Sequence, residues 1–446
     1  MKKMLYHLFP ALILLALPAV AVADTSVDST SLVRFFQDSR PNFTEKDFIP
    51  ATQFLGVDVN KLGDGNLSLH LYGWGRADLA DKSYNNDQAD GSLTYGYAQY
   101  RFNQANGMIR LGRFFINEGI INEQVDGLGV HTDLPLGFEF TAFGGATVHS
   151  VDMPGERTDG KGDGIAGGRL NYRYAGIFEV GVSGVYESNA PVLTADQPLA
   201  TGVAFGSHRL LGGDVWLTPH PMVEARGHSS YNTETEEFAE HSYLLNLRPH
   251  QDLVLTGEFN DYRDRSVFYS SILFSSLLTN LNDKSRTAGG RATYQLSKTV
   301  ELSGDFKRYS REIGKSDRFG GDVRFTMLNN SLRTGLGYHY LRSSPEFAII
   351  ATATSSGSFH QVRGYVLHDT KSYLAALDAI GYFFKQDINS RSNAWEVITS
   401  LGYHLTPALT LSGDVSYGMN PQFDDDLKGL IRLTYNATYT GKGGPK

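Results

Sequence analysis

The chain has 446 residues, among them 48 Gly, 24 Tyr and 26 Phe, no Cys at all, and a formal net charge of -8. The missing cysteines exclude disulfides, thiolate metal sites, cysteine nucleophiles and covalent c-type haem attachment within this chain. The negative balance and the lack of any basic cluster give no reason to expect nucleic acid as a partner.

Lys2 and Lys3 precede an apolar run from Leu8 to Val22 that closes on Ala21-Val22-Ala23. This order predicts a secretory signal peptide over residues 1–23, cut after Ala23. Pro10 and Pro18 break the run, and it falls short of the roughly 20 apolar residues a spanning helix needs. Beyond Ala23 the longest apolar stretch, Phe347 to Thr354, is shorter still. The mature chain is then either soluble in the periplasm or crosses a membrane as a closed barrel, because open backbone leaves its polar groups unsatisfied in hydrocarbon.

Residues 24–63 mix Arg34-Phe35-Phe36 with Arg40-Pro41-Asn42 and alternate only over Gln53–Val59. They are expected to form a periplasmic N-terminal extension, partly helical near Ser31–Asp38, with a place inside a lumen as one option. From 64 to 440 alternation dominates. Val300, Leu302, Gly304 and Phe306 oppose Glu301, Ser303, Asp305 and Lys307; Ile431, Leu433, Tyr435, Ala437 and Tyr439 oppose Arg432, Thr434, Asn436 and Thr438. Period two with one polar face means strands wet on one side only. Short connections, as at Asn103–Asn106, Tyr174–Gly176, Pro249–Asp252 and Thr406–Pro407, take turns with long polar ones. The long ones include Asp81–Gly91, Val151–Gly164, Glu187–Gly206, Asn232–Glu240, Asp261–Arg286, Ser310–Asp317, Ser343–Gly357 and Asn420–Asp426.

The fold class expected is therefore all-β: a transmembrane antiparallel barrel of about 20 strands, between about 18 and 22, with short periplasmic turns and long extracellular loops. Val125–Asp133 is taken as a strand and Leu134–Gly137 as its turn. Aromatics near strand ends, such as Tyr72, Trp74, Tyr95, Tyr97, Tyr172, Tyr338 and Tyr382, are expected to form interfacial girdles. Residues 441–446 are expected to be a disordered tail.

An ionised side chain on the lipid face costs about 2–4 kcal/mol at the midplane, so charged positions are assigned to the lumen. These are Arg76, Arg101, Arg110, Arg169, Glu224, Arg226, Glu258, Arg291, Asp305, Lys307, Arg324, Arg333, Arg363, Asp378, Glu396 and Arg432. Arg113 breaks phase with Arg110, and a bulge at Gly112 is expected to re-aim it inward. Opposed charges across a pore filter ions by sign; the bland alternative is that they solvate the wall and pair with one another.

Catalysis and metal binding find little support. Arg226-Gly227-His228-Ser229-Ser230-Tyr231-Asn232 is faintly similar to an outer-membrane phospholipase, but alternation turns His228 inward, and a phospholipase serine must face lipid together with its histidine. No two of the 13 His stand at a ligand spacing such as His-x-x-x-His. No enzyme, metal or cofactor is expected.

Three tracts carry a family resemblance. Met108-Ile109-Arg110-Leu111-Gly112-Arg113-Phe114-Phe115 resembles the Leu-Gly-Arg strand of outer-membrane porins, and Gly429–Tyr439 resembles the closing strand of barrel proteins, with residues 440–446 following where that pattern would end. Tyr72-Gly73-Trp74-Gly75-Arg76-Ala77-Asp78 is similar to outer-membrane channels of metal-reducing deltaproteobacteria, some of which sheath multihaem cytochromes. The porin resemblance implies that the loop carrying Glu118, Glu123 and Asp126 folds inward as a constriction, although here it looks short. It implies a bacterial outer-membrane location, contact with membrane lipid, lipopolysaccharide and the barrel assembly machinery, and leaves a homo-oligomer open. Two functions follow as expectations: a water-filled porin for passive diffusion of small hydrophilic solutes or ions, or a sheath around a periplasmic multihaem cytochrome.

Overall fold

The computed structural model describes residues 24–38, 46–80, 89–148, 164–192, 204–234, 236–263, 284–311, 314–343, 357–421 and 423–439. The expected signal peptide and tail lie outside the described residues. What is described is almost wholly strand: β1 (Asp24–Asp38), β2 (Lys46–Phe48), β3 (Pro50–Leu62), β4 (Leu67–Asp78), β5 (Ala89–Arg101), β6 (Met108–Glu118), β7 (Ile121–Asp133), β8 (Phe138–Thr147), β9 (Ile165–Tyr174), β10 (Phe178–Val192), β11 (Ala204–His220) and β12 (Val223–Asn232). There follow β13 (Glu237–His250), β14 (Leu253–Arg263), β15 (Lys284–Ser297), β16 (Val300–Arg311), β17 (Gly314–Met327), β18 (Leu332–Ser343), β19 (Phe359–Asp369), β20 (Tyr373–Ile388), β21 (Arg391–Thr406), β22 (Leu409–Asn420) and β23 (Phe423–Tyr439).

Each strand from β3 to β23 pairs antiparallel with the next, and β1 closes the ring. Thr25 lies opposite Val59 of β3 on one side and Tyr439 of β23 on the other. The result is a closed barrel of 22 strands, with the three-residue β2 paired only to the end of β1 and outside the ring. Closure leaves no strand edge, so the ladder satisfies the backbone polar groups from within.

Two expectations need correction here. The stretch from residue 64 onward does hold 20 strands, β4 to β23, but the described residues of 24–63 form neither a periplasmic extension nor a helix: they supply β1 and β3 of the wall. Alternation fails there for a local reason. Gln53, Ser29 and Ser31 share the outward face, where the Gln53 amide donates to Ser29 Oγ at 2.9 Å and Ser31 Oγ donates back to Gln53 Oε1. Three polar side chains facing out erase the apolar rhythm, yet satisfy one another.

The connections at the rim holding both Asp24 and Tyr439 are short, as at Ala175–Ile177, Pro221–Met222 and Lys298–Thr299. The opposite rim carries the longer ones, though not strictly. Strands run on where Asn232–Glu240, Ser310–Asp317 and Asn420–Asp426 were expected to loop, and β6 reaches β7 through Gly119-Ile120 alone. Past the apolar band both strand faces are wet, so polar residues there continue a strand without alternating.

Large apolar side chains such as Leu111, Val182, Leu211, Leu336 and Leu401 are exposed on one face of the wall. The other face is polar and concave. Tyr72, Trp74, Tyr95, Tyr97 and Tyr382 share this inward face by register, so they are not girdle residues, whereas Tyr338 stands exposed outside.

Candidate functional site

The first feature of the lumen is an inward tip. β6 pairs with β5 only from Met108 to Arg113, and β7 pairs with β8 only from Val125 to Asp133. Beyond those limits the two arms are in register only with each other, from Phe114 opposite Val125 to Glu118 opposite Ile121, and the hairpin leaves the wall. They cross the concave face to reach β10 and β11, where the Ile120 N–H donates to Ser183 Oγ at 3.1 Å. Phe114, Ile116, Ile121 and Val125 pack there with Phe143, Ile165 and Val185 into a buried apolar cluster. Gly119 makes the tight passage possible. Its φ is +60°, and a Cβ would fall 2.5 Å from Ser183 Oγ.

Of the three acidic residues expected at a constriction, the tip brings two inside. Glu118 lies 3.5 Å from Arg169. Glu123, half-buried and clear of the membrane-spanning wall, has its carboxyl pushed up to about 7 by burial first and by Glu187 second. Asp126 is elsewhere, on the outward face with Arg113. The Arg113 guanidinium donates to both carboxylate oxygens at 2.7 and 2.6 Å, and to the Leu93 carbonyl at 2.9 Å. Arg113 is therefore not a lumen residue. No bulge occurs at Gly112: the register is continuous, φ is +127°, and Arg113 keeps the phase of exposed Leu111. Where the tip folds away it uncovers carbonyls of β5, and Arg113 together with Gln124 caps them at Leu93 and Thr94.

The other predicted charges stand on the inward face, in two groupings. Beneath the tip, Arg169 is 9% exposed and donates to Asp214 at 3.0 Å and to Glu179 at 2.7 Å, while Arg173 bridges Glu179 and Glu139. Asp214, Glu179 and Glu139 were not among the predicted residues. They occupy the same parity of their strands as the predicted ones, which was the available signal.

About a third of the way round the ring, β14 to β19 enclose a cavity of about 550 Å³ lined by Glu258, Arg291, Asp305, Lys307, Arg318, Asp322, Arg324, His339 and Arg363. Five permanent cations face three carboxylates there. Arg318 donates to Asp305 at 2.9 Å, Arg291 to Asp322 at 3.1 Å, and His339 Nε2 lies 2.9 Å from Asp305. Asp305, Asp322 and His339 bring three ligand-type atoms within 4.8 Å of one another, which no His spacing foretold. The two arginines already occupy those carboxylates, so the group is an internal ion network. Arg363 leaves this group to grip Asp378 with two parallel bonds.

The remaining predicted residues are spread around the wall. Arg76 lies 3.8 Å from Asp90, Arg110 donates to Gln99 at 3.1 Å, and Arg432 donates to Asp414 at 3.3 Å. Arg101, Glu224, Arg226, Arg333 and Glu396 share the inward parity.

On the outer surface Ser229 hydrogen-bonds His241 Nδ1 at 2.8 Å and Tyr243 at 2.5 Å, while His228 turns inward to Glu240 at 3.2 Å. The carboxylate in register with His241 is Asp261, and Lys284 and Arg286 hold it. Among the described residues, no carboxylate hydrogen-bonds this serine–histidine pair.

No protein-family model matches the chain, and no curated protein matches it in sequence. Solved structures resemble it in fold. They include a mutant of the ferric enterobactin receptor from Pseudomonas aeruginosa (TM-score 0.55, 10% identity, covering 94% of this chain and 81% of that one). The siderophore receptor PirA is similar too, from Pseudomonas aeruginosa (0.57, 11%, 93% and 80%) and from Acinetobacter baumannii (0.55, 10%, 92% and 80%). The chain has the fold of large outer-membrane β-barrels.

Proposed function

We propose that the chain is an outer-membrane channel through which small hydrophilic or charged solutes pass by diffusion. The observation that carries this reading is the pairing of an apolar outer face with a charged inner one around a closed ring. Barrels of 22 strands are wide, and many hold a plug. Among the described residues the only segment that leaves the wall for the lumen is the tip 114–124. The rim holding Asp24 and Tyr439 is then periplasmic and the longer connections lie outside, as in other bacterial barrels. Conductance of the refolded protein in a planar bilayer under asymmetric salt tests the proposal. Steady unit steps are expected, and a folded barrel that inserts yet stays silent would overturn it.

Width also supports a second reading, a sheath around a periplasmic multihaem cytochrome, since a 22-strand lumen has room for one. A silent barrel that regains transmembrane electron transfer only with such a partner would favour it.

A further inference from the structure

The outward face of β14 to β18, close to the rim opposite the chain ends, carries an excess of cations. Among the described residues, Lys284, Arg286, Arg308, Lys315 and Arg342 lie there with Asp261 and Asp317, each within four residues of its strand's end. Their side is fixed by register. Arg286 shares its parity with exposed Tyr294, Arg308 with Phe306, Lys315 with Phe319, and Arg342 with Tyr338. Arg263 stands at the same rim, neutralised by Glu237.

Each carboxylate holds a pair of cations in place. Asp261 meets Lys284 at 3.2 Å and Arg286 at 2.8 Å. Asp317 accepts two bonds from Arg308, at 2.7 and 3.0 Å, and faces Arg342 in register. A guanidinium has five donors, so Arg286 and Arg308, both more than half exposed, keep donors beyond those that the carboxylates accept. Two to four residues further in along the strands come exposed rings, Phe306, Phe319 and Tyr338, and beyond them the apolar band.

We propose that this sector is a binding site for phosphorylated lipid headgroups of the surrounding leaflet. Arginine forks match phosphate oxygens with two donors at once, and the aromatic row below receives the acyl chains at the depth where such rings sit in a bilayer. A soluble anion would find the charge but no use for the aromatic and apolar surface. The inference rests on the outer-membrane reading and not on conduction.

The test uses the whole refolded protein in detergent, with its heat-modifiable mobility checked first. Thermal unfolding is followed with bisphosphorylated lipid A, with the same lipid stripped of phosphate, and with inorganic phosphate. Only the bisphosphorylated lipid is expected to raise the midpoint. The combined variant Arg286→Gln, Arg308→Gln and Arg342→Gln is expected to lose at least about tenfold in apparent affinity, and the matching lysine variant to recover part of it. Equal stabilisation by the phosphate-free lipid, an equal effect of inorganic phosphate, or an unchanged glutamine variant would each overturn the proposal. A protein that inserts in no bilayer at all would sink the membrane reading instead.

Discussion

Arg113 and Asp126 form a two-bonded ion pair, 2.7 and 2.6 Å, on the outward face of the wall, between the exposed apolar side chains of Leu111, Phe115 and Leu128. The pair seals the slit left as the hairpin turns inward, because the same guanidinium also takes the Leu93 carbonyl. Asp126→Asn leaves an arginine unpaired against lipid, at about 2–4 kcal/mol near the midplane. Denaturant titration in vesicles should show that loss, while Arg113→Leu with Asp126→Leu should recover part of it. A neutral single variant would mean that the pair is hydrated.

Gly119 turns the tip in the left-handed region against Ser183. Gly119→Val should weaken docking by about 1–3 kcal/mol of backbone strain, before counting the clash. Unit conductance should rise and become noisier. Unchanged, quiet steps would show that the tip does not narrow the path.

Docking should also depend on pH. The Glu123 carboxyl, ordinarily near 4.5, is raised to about 7 in the docked tip. Docked protein therefore holds the proton more tightly than undocked protein, so docking is strongest below about 4.5 and weakens as pH rises through about 7. Hydrogen exchange of residues 114–124 should be slower at pH 5 than at pH 8, and Glu123→Gln should flatten that difference. A profile identical in the variant would assign the effect to another group.

Five cations and three carboxylates line the β14–β19 cavity, and two of those cations, Arg324 and Arg363, pair with Glu301 and Asp378 beside it. Arg291→Gln combined with Arg318→Gln should move the reversal potential toward cation preference. No movement would show that these charges are spent on Asp322 and Asp305.

Removing residues 24–38 takes away the strand joining β3 to β23. Two unpaired edges in hydrocarbon are not tolerated, so no heat-modifiable folded form should appear. A folded product would mean that β3 and β23 can close a smaller ring.

Read alone, the amino-acid order determined whatever depends on period two. It led to about 20 strands beyond residue 63, where β4 to β23 lie, and it turned Arg169, Asp305 and Arg432 inward, since a charge on the lipid face is expensive at any register. It could not place β1, whose outward Ser29 and Ser31 are satisfied by Gln53 only once the strands are paired. It turned Arg113 inward along with Arg110, whereas Arg113 faces outward to Asp126 on a neighbouring strand. The porin resemblance implied a segment folded inward at Glu118 and Glu123, but its docking on β10 and β11, the cavity and the basic sector outside were decided by the tertiary structure. Each depends on which strands become neighbours and where a strand leaves its partner, and ring closure sets both.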